Sequence, residues 1–363
     1  MAGIRAFREG DIDQVARLHQ QVFPPDSGPA PVSAYRDYFR DTFLAGPRPD
    51  SGFDSLVAEE ADGAISGFLG VVPVKMALGD RPLWATVCTQ FCVDPTRRGM
   101  NGLKLIRHHF AGRQDLSITD GANATTMRLW RWAGAEPVVA SSLHFVRPLR
   151  PAQFALSMLA RRPSLARAAH LSSTARLLDR MLGRLPQRWF RLSPPPTRGE
   201  PLDAAAMAAA LPEVAVRRSL APVYEPGPLS WYLRRAEAVP GRELRGALVR
   251  DDKDKLLGWY LYCGRSGQAA EVLQIAAPPE TAPAVLDHML YDAWQAGMLG
   301  LGGRLDPALA QACSDRYCLF SRRGPWTVVH ARDPALIAPF HRGDALFTRL
   351  EGEWCARFTP PEG

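Results

Sequence analysis

The stretch that most restricts how this chain can fold runs from Ser55 to Phe110. "SLVAEEADGAISGFLGVVPVKMALGDRPLWATVCTQFCV" holds three segments rich in Val, Ile, Leu, Phe, Thr and Trp, the residues that suit a pleated, half-buried surface. Asp62-Gly63 and Gly79-Asp80 separate them, and such dipeptides favour tight hairpin turns. The spacing predicts an antiparallel meander of three strands. The third runs straight into "VDPTRRGMNGLKLIRHHF", where a glycine-bearing turn divides strand from helix. The first amides of a helix have no partner within it and carry the positive end of its dipole. Glycine leaves the backbone open to a ligand, and Arg97 or Arg98 adds charge-assisted bonds. The segment is therefore read as an anion site at a helix start.

Regular elements flank this centre. "GIRAFREGDIDQVARLHQQVF" reads as a short strand and then a helix capped by Asp11, with Ile12, Val15, Leu18 and Val22 on one face. "DLSITDGAN" is a further strand and turn, "ATTMRLWRWAGA" a helix, and "PVVASSLHFVRPL" a closing strand. Residues 150–195 mix apolar and arginine residues at helical spacing, interrupted by Pro151, Pro163 and Pro186. A basic amphipathic helix can lie on an anionic membrane, but the prolines favour an ordered connector between domains, and "SPPPTRGEP" after it is a linker. From 200 onward the architecture recurs without the sequence. Two helical stretches, a second meander in "LRGALVRDDKDKLLGWYLYCGRSGQAAEVLQIAA", a helix and a short strand follow. "DALFTRLEGEWCARF" reads as a terminal hairpin turning near Glu351-Gly352.

A chain of 363 residues exceeds one ordinary domain. With 46% apolar and 22% charged residues it can bury a sizeable core. Net charge is +7, and only four of the 44 basic residues are lysine, a bias expected of a GC-rich bacterial genome. No nucleic-acid recognition motif accompanies the charge. No stretch approaches the roughly 20 apolar residues of a membrane span. "MAGIRAFREGD" lacks the apolar core of a signal peptide, so a cytoplasmic location is expected. The six cysteines include no CxxC pair and no zinc spacing, and no metal is expected. Cys88 and Cys92, four apart in a strand, are expected on one face.

Strand, helix, meander, glycine-bearing turn, helix, strand, helix, strand resembles the GCN5-related N-acetyltransferase (GNAT) superfamily. "VDPTRRGMNG" looks like its acyl-CoA pyrophosphate loop, and "NATTMRLWRWAGAEPV" resembles its later motif, in which an Asn opens a helix. The resemblance implies an α+β chain with two GNAT-like domains, each a mixed, mostly antiparallel sheet flanked by helices. The expected boundaries are an N-terminal domain over 1–149, a helical connector and Pro-rich linker over 150–199, and a C-terminal domain over 200–363. The second half has Pro278 and Pro279 where amides are needed, so it is expected not to bind coenzyme A. The resemblance further implies that acetyl-CoA or another acyl-CoA contacts Phe91, Cys92, Val93, Arg97, Arg98, Gly99, Met100, Asn101, Gly102, Leu103, Asn123 and Trp130.

The sequence departs from the family in its loop and in its acid and base. The later glycines of the loop fall on Asn101 and Leu103, with Gly102 displaced by one. Seven residues after Asn123, where many members carry a tyrosine as general acid, stands Trp130, whose indole only donates. The strand before the loop carries no carboxylate, so Asp120 is the leading candidate base. Secondary candidates are His108 and His109, one of which faces solvent, with Glu59, Glu60, His144 and, in the second half, Glu271. An acyl-CoA and an amine acceptor are the expected partners, with no nucleic acid, no stable membrane insertion and no indication of oligomeric state. The alternatives are a non-catalytic acyl-CoA sensor or scaffold, and an aminoacyl transferase of the kind that pairs two GNAT-like domains.

Overall fold

The computed structural model describes residues 2–24, 31–47, 52–97, 100–160, 170–185, 189–215 and 218–359. Its elements begin β1 (Gly3–Ala6), α1 (Ile12–Val22), α2 (Val32–Phe43), β2 (Leu56–Glu59), β3 (Ile65–Leu78), β4 (Arg81–Val93), α3 (Asn101–Phe110), β5 (Leu116–Ala122), α4 (Ala124–Trp132) and β6 (Glu136–Val138). The middle of the chain forms β7 (His144–Pro148), α5 (Pro151–Ala160), α6 (Ser172–Leu182), β8 (Arg198–Glu200), α7 (Ala204–Ala215), β9 (Leu220–Pro222) and α8 (Pro226–Glu237). The remainder forms β10 (Glu243–Arg250), β11 (Leu256–Gly264), β12 (Ala269–Ala276), α9 (Ala282–Gln295), β13 (Gly300–Arg304), α10 (Ala310–Ser314), β14 (Leu319–Ser321), β15 (Trp326–Ala331), α11 (Ala338–Arg342) and α12 (Glu353–Ala356).

The chain divides into two units. The first contains 1–142, 218–240 and 324–363, and the second 143–217 and 241–323. In the first, the meander β2–β3–β4 forms as its turn dipeptides dictate, and the sheet order is β1-β2-β3-β4-β5-β15-β6, with β9 also pairing β3. On one face Leu105, Ile106 and Phe110 of α3 and Trp130 of α4 pack on Leu69, Val71 and Cys88. The opposite face is aromatic: Phe39 and Phe43 of α2 close on Phe68 at 5.4 and 5.3 Å. The second unit holds the order β14-β7-β13-β12-β11-β10-β8, with α9 packing Val285, Leu286 and Met289 onto Tyr260, Tyr262 and Val272.

The expected boundaries at 149/150 and 199/200 are thus corrected. "PVVASSLHFVRPL" is not one strand. Pro137 limits the ladder, and a turn at Ala140–Ser142 follows, fixed by Ser142 Oγ donating to Val138 O at 2.6 Å and accepting from Thr327 N–H at 2.9 Å. Only β6 stays in the first sheet, while β7 pairs β13 and β14 in the second. The place beside β5 goes to β15 from near the end of the chain. The 150–199 segment does not stand apart as a connector: α5, α6 and β8 all belong to the second unit.

Three local expectations also change. Asp11 makes no capping bond to α1; its carboxylate accepts from Arg5 at 2.7 and 2.8 Å and from Arg8 N–H at 2.9 Å. The last segment is no hairpin but ends in the short helix α12. Cys88 and Cys92 face opposite sides, because a register shift between Phe68 and Gly70 inserts an extra residue in β4. Such a bulge inverts the alternation beyond it. No described helix is long and apolar enough to cross a membrane.

Candidate functional site

β4 and β5 run parallel and pair at Ala85–Leu116, Thr86–Ser117 and Val87–Ile118. Beyond Val87 and Ile118 the ladder stops, just where the bulge turns β4 at Gln90, whose φ is +51°. A side chain at such a φ costs about 1–2 kcal/mol, and the surroundings hold it there. Gln90 Oε1 accepts from His19 Nε2 at 2.5 Å, and His19 sits among Phe23, Tyr35, Phe39 and Phe358. Burial lowers the His19 pKa, which keeps the ring neutral.

The parting strand ends open a cavity of about 980 Å³. Gln90, Phe91 and Val93 of β4 line one side, and Thr119, Gly121 and Ala122 of β5 the other. Gly102 in the first turn of α3 and Leu129, Trp130 and Trp132 of α4 add to the wall. No side chain among the described residues caps α3, so its first amides are left for solvent or a ligand. The cavity is mostly apolar, and one carboxylate stands in its wall.

That carboxylate is Glu353, at the first position of α12. Its Oε1 accepts from Thr119 Oγ1 at 2.5 Å, Gly121 N–H at 2.7 Å and Asp120 N–H at 2.9 Å. Asp120 Oδ1 in return accepts from Glu353 N–H at 2.7 Å. The reciprocal bonds bring the two backbones so close that a Cβ on Gly352 would lie 2.4 Å from Asp120 Oδ2, and one on Gly121 2.9 Å from Glu353 Oε2. Tyr38 Oη donates to Ala356 O at 2.6 Å, and Arg235 donates to Cys355 O and Arg357 O at 3.1 and 3.0 Å. Phe358 stacks on Tyr35 at 4.1 Å. Burial, and then the charge of Asp120, push the Glu353 carboxyl up to about 7 against the hydrogen bonds from Thr119, Gly121 and Thr89. A group balanced near neutrality can both take and release a proton.

No protein-family model matches the sequence, and no curated protein sequence matches it. Solved structures match in fold. A GCN5-related N-acetyltransferase from Anabaena variabilis aligns over 92% of this chain and 73% of its own, with a TM-score of 0.60 and 12% identity. One from Kribbella flavida aligns over 93% and 74%, with a TM-score of 0.55 and 17% identity. A protein from Enterococcus faecalis, described as a probable N-acyltransferase, aligns over 94% and 74%, with a TM-score of 0.56 and 11% identity. The fold is that of the GCN5-related N-acetyltransferases.

Set on the GNAT fold, the residues singled out in the sequence fall into place unevenly. Phe91, Val93, Gly102, Asn123 and Trp130 line the cavity. Cys92 is buried in the β4–β3 ladder opposite Phe68, and beyond the bulge its side chain takes the other face of the sheet from Cys88. Asn101 turns away to donate to Glu60 Oε1 at 2.9 Å and Ser66 Oγ at 3.0 Å. Met100 is exposed and precedes α3, Leu103 is half-buried in its first turn, and Arg97 ends the short turn Pro95–Arg97. Arg98 and Gly99 lie outside the described residues. Asn123 Oδ1 caps α4, accepting from Thr125 and Thr126 N–H at 3.0 and 2.9 Å. Trp130 is buried edge-on to Phe110 at 5.2 Å, and its Nε1 has no protein partner.

The secondary candidates are bound elsewhere. His108 is exposed, while buried His109 bonds Thr86 Oγ1 at 3.0 Å and is held neutral by burial, its pKa lowered to about 3. Glu59 pairs with Arg5 at 2.6 Å, Glu271 lies 3.7 Å from Arg242, and His144 is in β7 of the second unit. Asp120 holds α12. The sequence reading missed Glu353, His19 and Gln90. A bulge residue with a buried histidine partner has no local signature, and nothing around Glu353 announces a partner 233 residues away.

Proposed function

We propose that the protein transfers an acyl group from acyl-CoA, most simply acetyl-CoA, to an amine, and that Glu353 is the general base. The observation that carries this reading is the half-buried carboxylate in the wall of the cavity that opens where β4 and β5 part. The pyrophosphate lies at the uncapped start of α3, and the pantetheine arm runs along the free edge of β4 near Phe91 and Val93. An amide at the bulge polarises the thioester carbonyl. The amine nitrogen attacks that carbon, the N–C bond forms, and the nitrogen's proton passes to Glu353. The C–S bond then breaks. Coenzyme A leaves as a thiolate, its thiol pKa being roughly that of cysteine, about 8.5. The Trp130 N–H steadies the sulfur as a donor without giving up its proton. Asp120 is assigned to positioning: it holds the Glu353 backbone, and its charge raises the proton affinity of Glu353.

The test is release of free thiol from acetyl-CoA and longer acyl-CoAs with a panel of small and peptide amines, beside calorimetry with CoA. Turnover that is lost in Glu353→Gln with CoA affinity retained supports the reading. CoA binding without turnover on any amine replaces it with acyl-CoA sensing. Absence of CoA binding removes it.

A further inference from the structure

In the second unit, the end of α10 sets two thiols side by side. Cys318 N–H donates to Cys313 O at 3.0 Å, and Tyr317 between them has a left-handed φ of +59°. A six-to-one backbone bond with a left-handed residue just before its donor is a helix-ending motif that brings the outer two side chains into contact. Here those side chains are thiols, and they hydrogen-bond one another. Glycine usually takes the left-handed position. Tyr317 is kept there by its ring, which packs on Trp189 at 5.4 Å and beneath the Arg147 guanidinium at 5.8 Å.

Arg147 is the second, independent observation. It is only 2% exposed. Its Nη1 donates to Pro148 O at 2.6 Å and its Nη2 to Trp189 O at 2.8 Å, while Nε has no partner. No carboxylate among the described residues pairs with it, whereas neighbouring Arg316 is neutralised by both oxygens of Asp287 at 2.7 Å. A buried guanidinium without an anion is costly. The β14–β7 ladder pairs Leu319 with Val146. The ladder ends there; its register continued by one step brings Cys318 opposite Arg147, on the same face, and the two interact electrostatically.

We propose that Cys313 and Cys318 form a peroxide-responsive dithiol, in which the Cys318 thiolate is the counter-ion of Arg147 and Cys313 is the resolving thiol. The hydrogen bond from Cys313 lowers the Cys318 thiol below its usual range against the opposing effect of burial, with Arg147 and Arg316 adding to the lowering, while the same hydrogen bond, burial and the charge of Asp306 hold Cys313 above it. Cys318 is 8% exposed beneath Tyr317 and Leu319, themselves 41% and 50% exposed, and hydrogen peroxide is little larger than water. The Cys318 sulfur attacks one peroxide oxygen, an S–O bond forms, the O–O bond breaks and hydroxide leaves. Cys313 loses its proton to that hydroxide, giving water, and attacks the sulfenic sulfur. An S–S bond forms, the S–O bond breaks, and its oxygen leaves as hydroxide, which takes back from solvent the proton that Cys318 had released. Two electrons pass from the sulfur pair to one peroxide.

This inference does not depend on acyl transfer. The full chain is treated with hydrogen peroxide, denatured, alkylated with N-ethylmaleimide and mapped by mass spectrometry. The expected result is loss of two alkylations, with a dithiothreitol-reversible link between the peptides holding Cys313 and Cys318. In Cys313→Ser, dimedone is expected to label Cys318. In Arg147→Met, oxidation at pH 7 is expected to slow at least tenfold. Should that variant not fold, the wild-type rate is compared at pH 6 and pH 8 and is expected to rise by well under the roughly seventyfold of a thiol with a pKa of about 8.5. Six alkylations after peroxide, a link between other cysteines, dimedone on Cys313 of Cys318→Ser at the faster rate, or a rate tracking an ordinary thiol would each overturn the proposal.

Discussion

Glu353 has a pKa pushed up to about 7 from an ordinary 4.5. Between those two values the folded protein binds a proton that the unfolded chain releases. Stability therefore falls as pH rises across this window, by up to about 1.4 kcal/mol per pH unit. Glu353→Gln keeps an oxygen for Thr119 Oγ1 and the two amides, so the slope of Tm against pH over that range should flatten in this variant. Turnover should rise with pH through about 7 in the wild type, and fall by about 10²–10⁴-fold in Glu353→Gln. Asp120→Asn keeps an oxygen for Glu353 N–H but removes the charge that raises Glu353. The midpoint of its pH–rate profile should move down, with most of the plateau rate kept. If Asp120→Asn abolished the plateau while Glu353→Gln did not, the two roles would have to be exchanged. Trp130→Phe loses no protein hydrogen bond. It should leave thermal stability within about 1 kcal/mol and cost about 10- to 100-fold in rate, the worth of one hydrogen bond to a charged sulfur.

At the scale of elements, α12 is only four residues long and cannot be stable by itself. Its position comes from Asp120, Tyr38 and Arg235, and from the absence of a side chain at Gly352. Gly352→Val should therefore destabilise the protein by about 1–3 kcal/mol in urea unfolding and remove turnover together with it, since Glu353 moves too. The elements that the sequence revealed are those whose instructions are local. The meander carries its own turn dipeptides, α3 and α4 their own periodicity, and β10–β12 the same pattern again. Strand partners are not written that way. β7 and β15 are both short apolar strands, and nothing in either states whether β5 or β13 is its neighbour. The bulge at Gln90 was hidden for a related reason: it inverts the faces of β4 without altering its composition, so the shared face expected for Cys88 and Cys92 failed while the strand itself was found.

At the scale of the whole molecule, the first sheet draws β1–β6 from the start of the chain, β9 from the middle and β15 from near the end. A fragment of residues 1–149 has the turn proposed to hold the pyrophosphate and most of the cavity wall, yet lacks β15, β9 and the α12 carboxylate. It also carries β7 without β13 and β14. Such a fragment should show no cooperative thermal transition by circular dichroism and no CoA binding, while the full chain shows both. A cooperative, CoA-binding fragment would mean that β15 is dispensable to the first sheet.

The position of β15 also bears on how the protein is made. Ala331 pairs with Leu116, so about 200 residues must leave the ribosome after β5 before its partner exists. At roughly 5–20 residues per second that wait lasts about 10–40 seconds, during which β5 presents an open edge to every other nascent strand in the cell. Translation speed and chaperone supply, rather than the strength of any contact within the finished sheet, would then set how much of this protein reaches its native state.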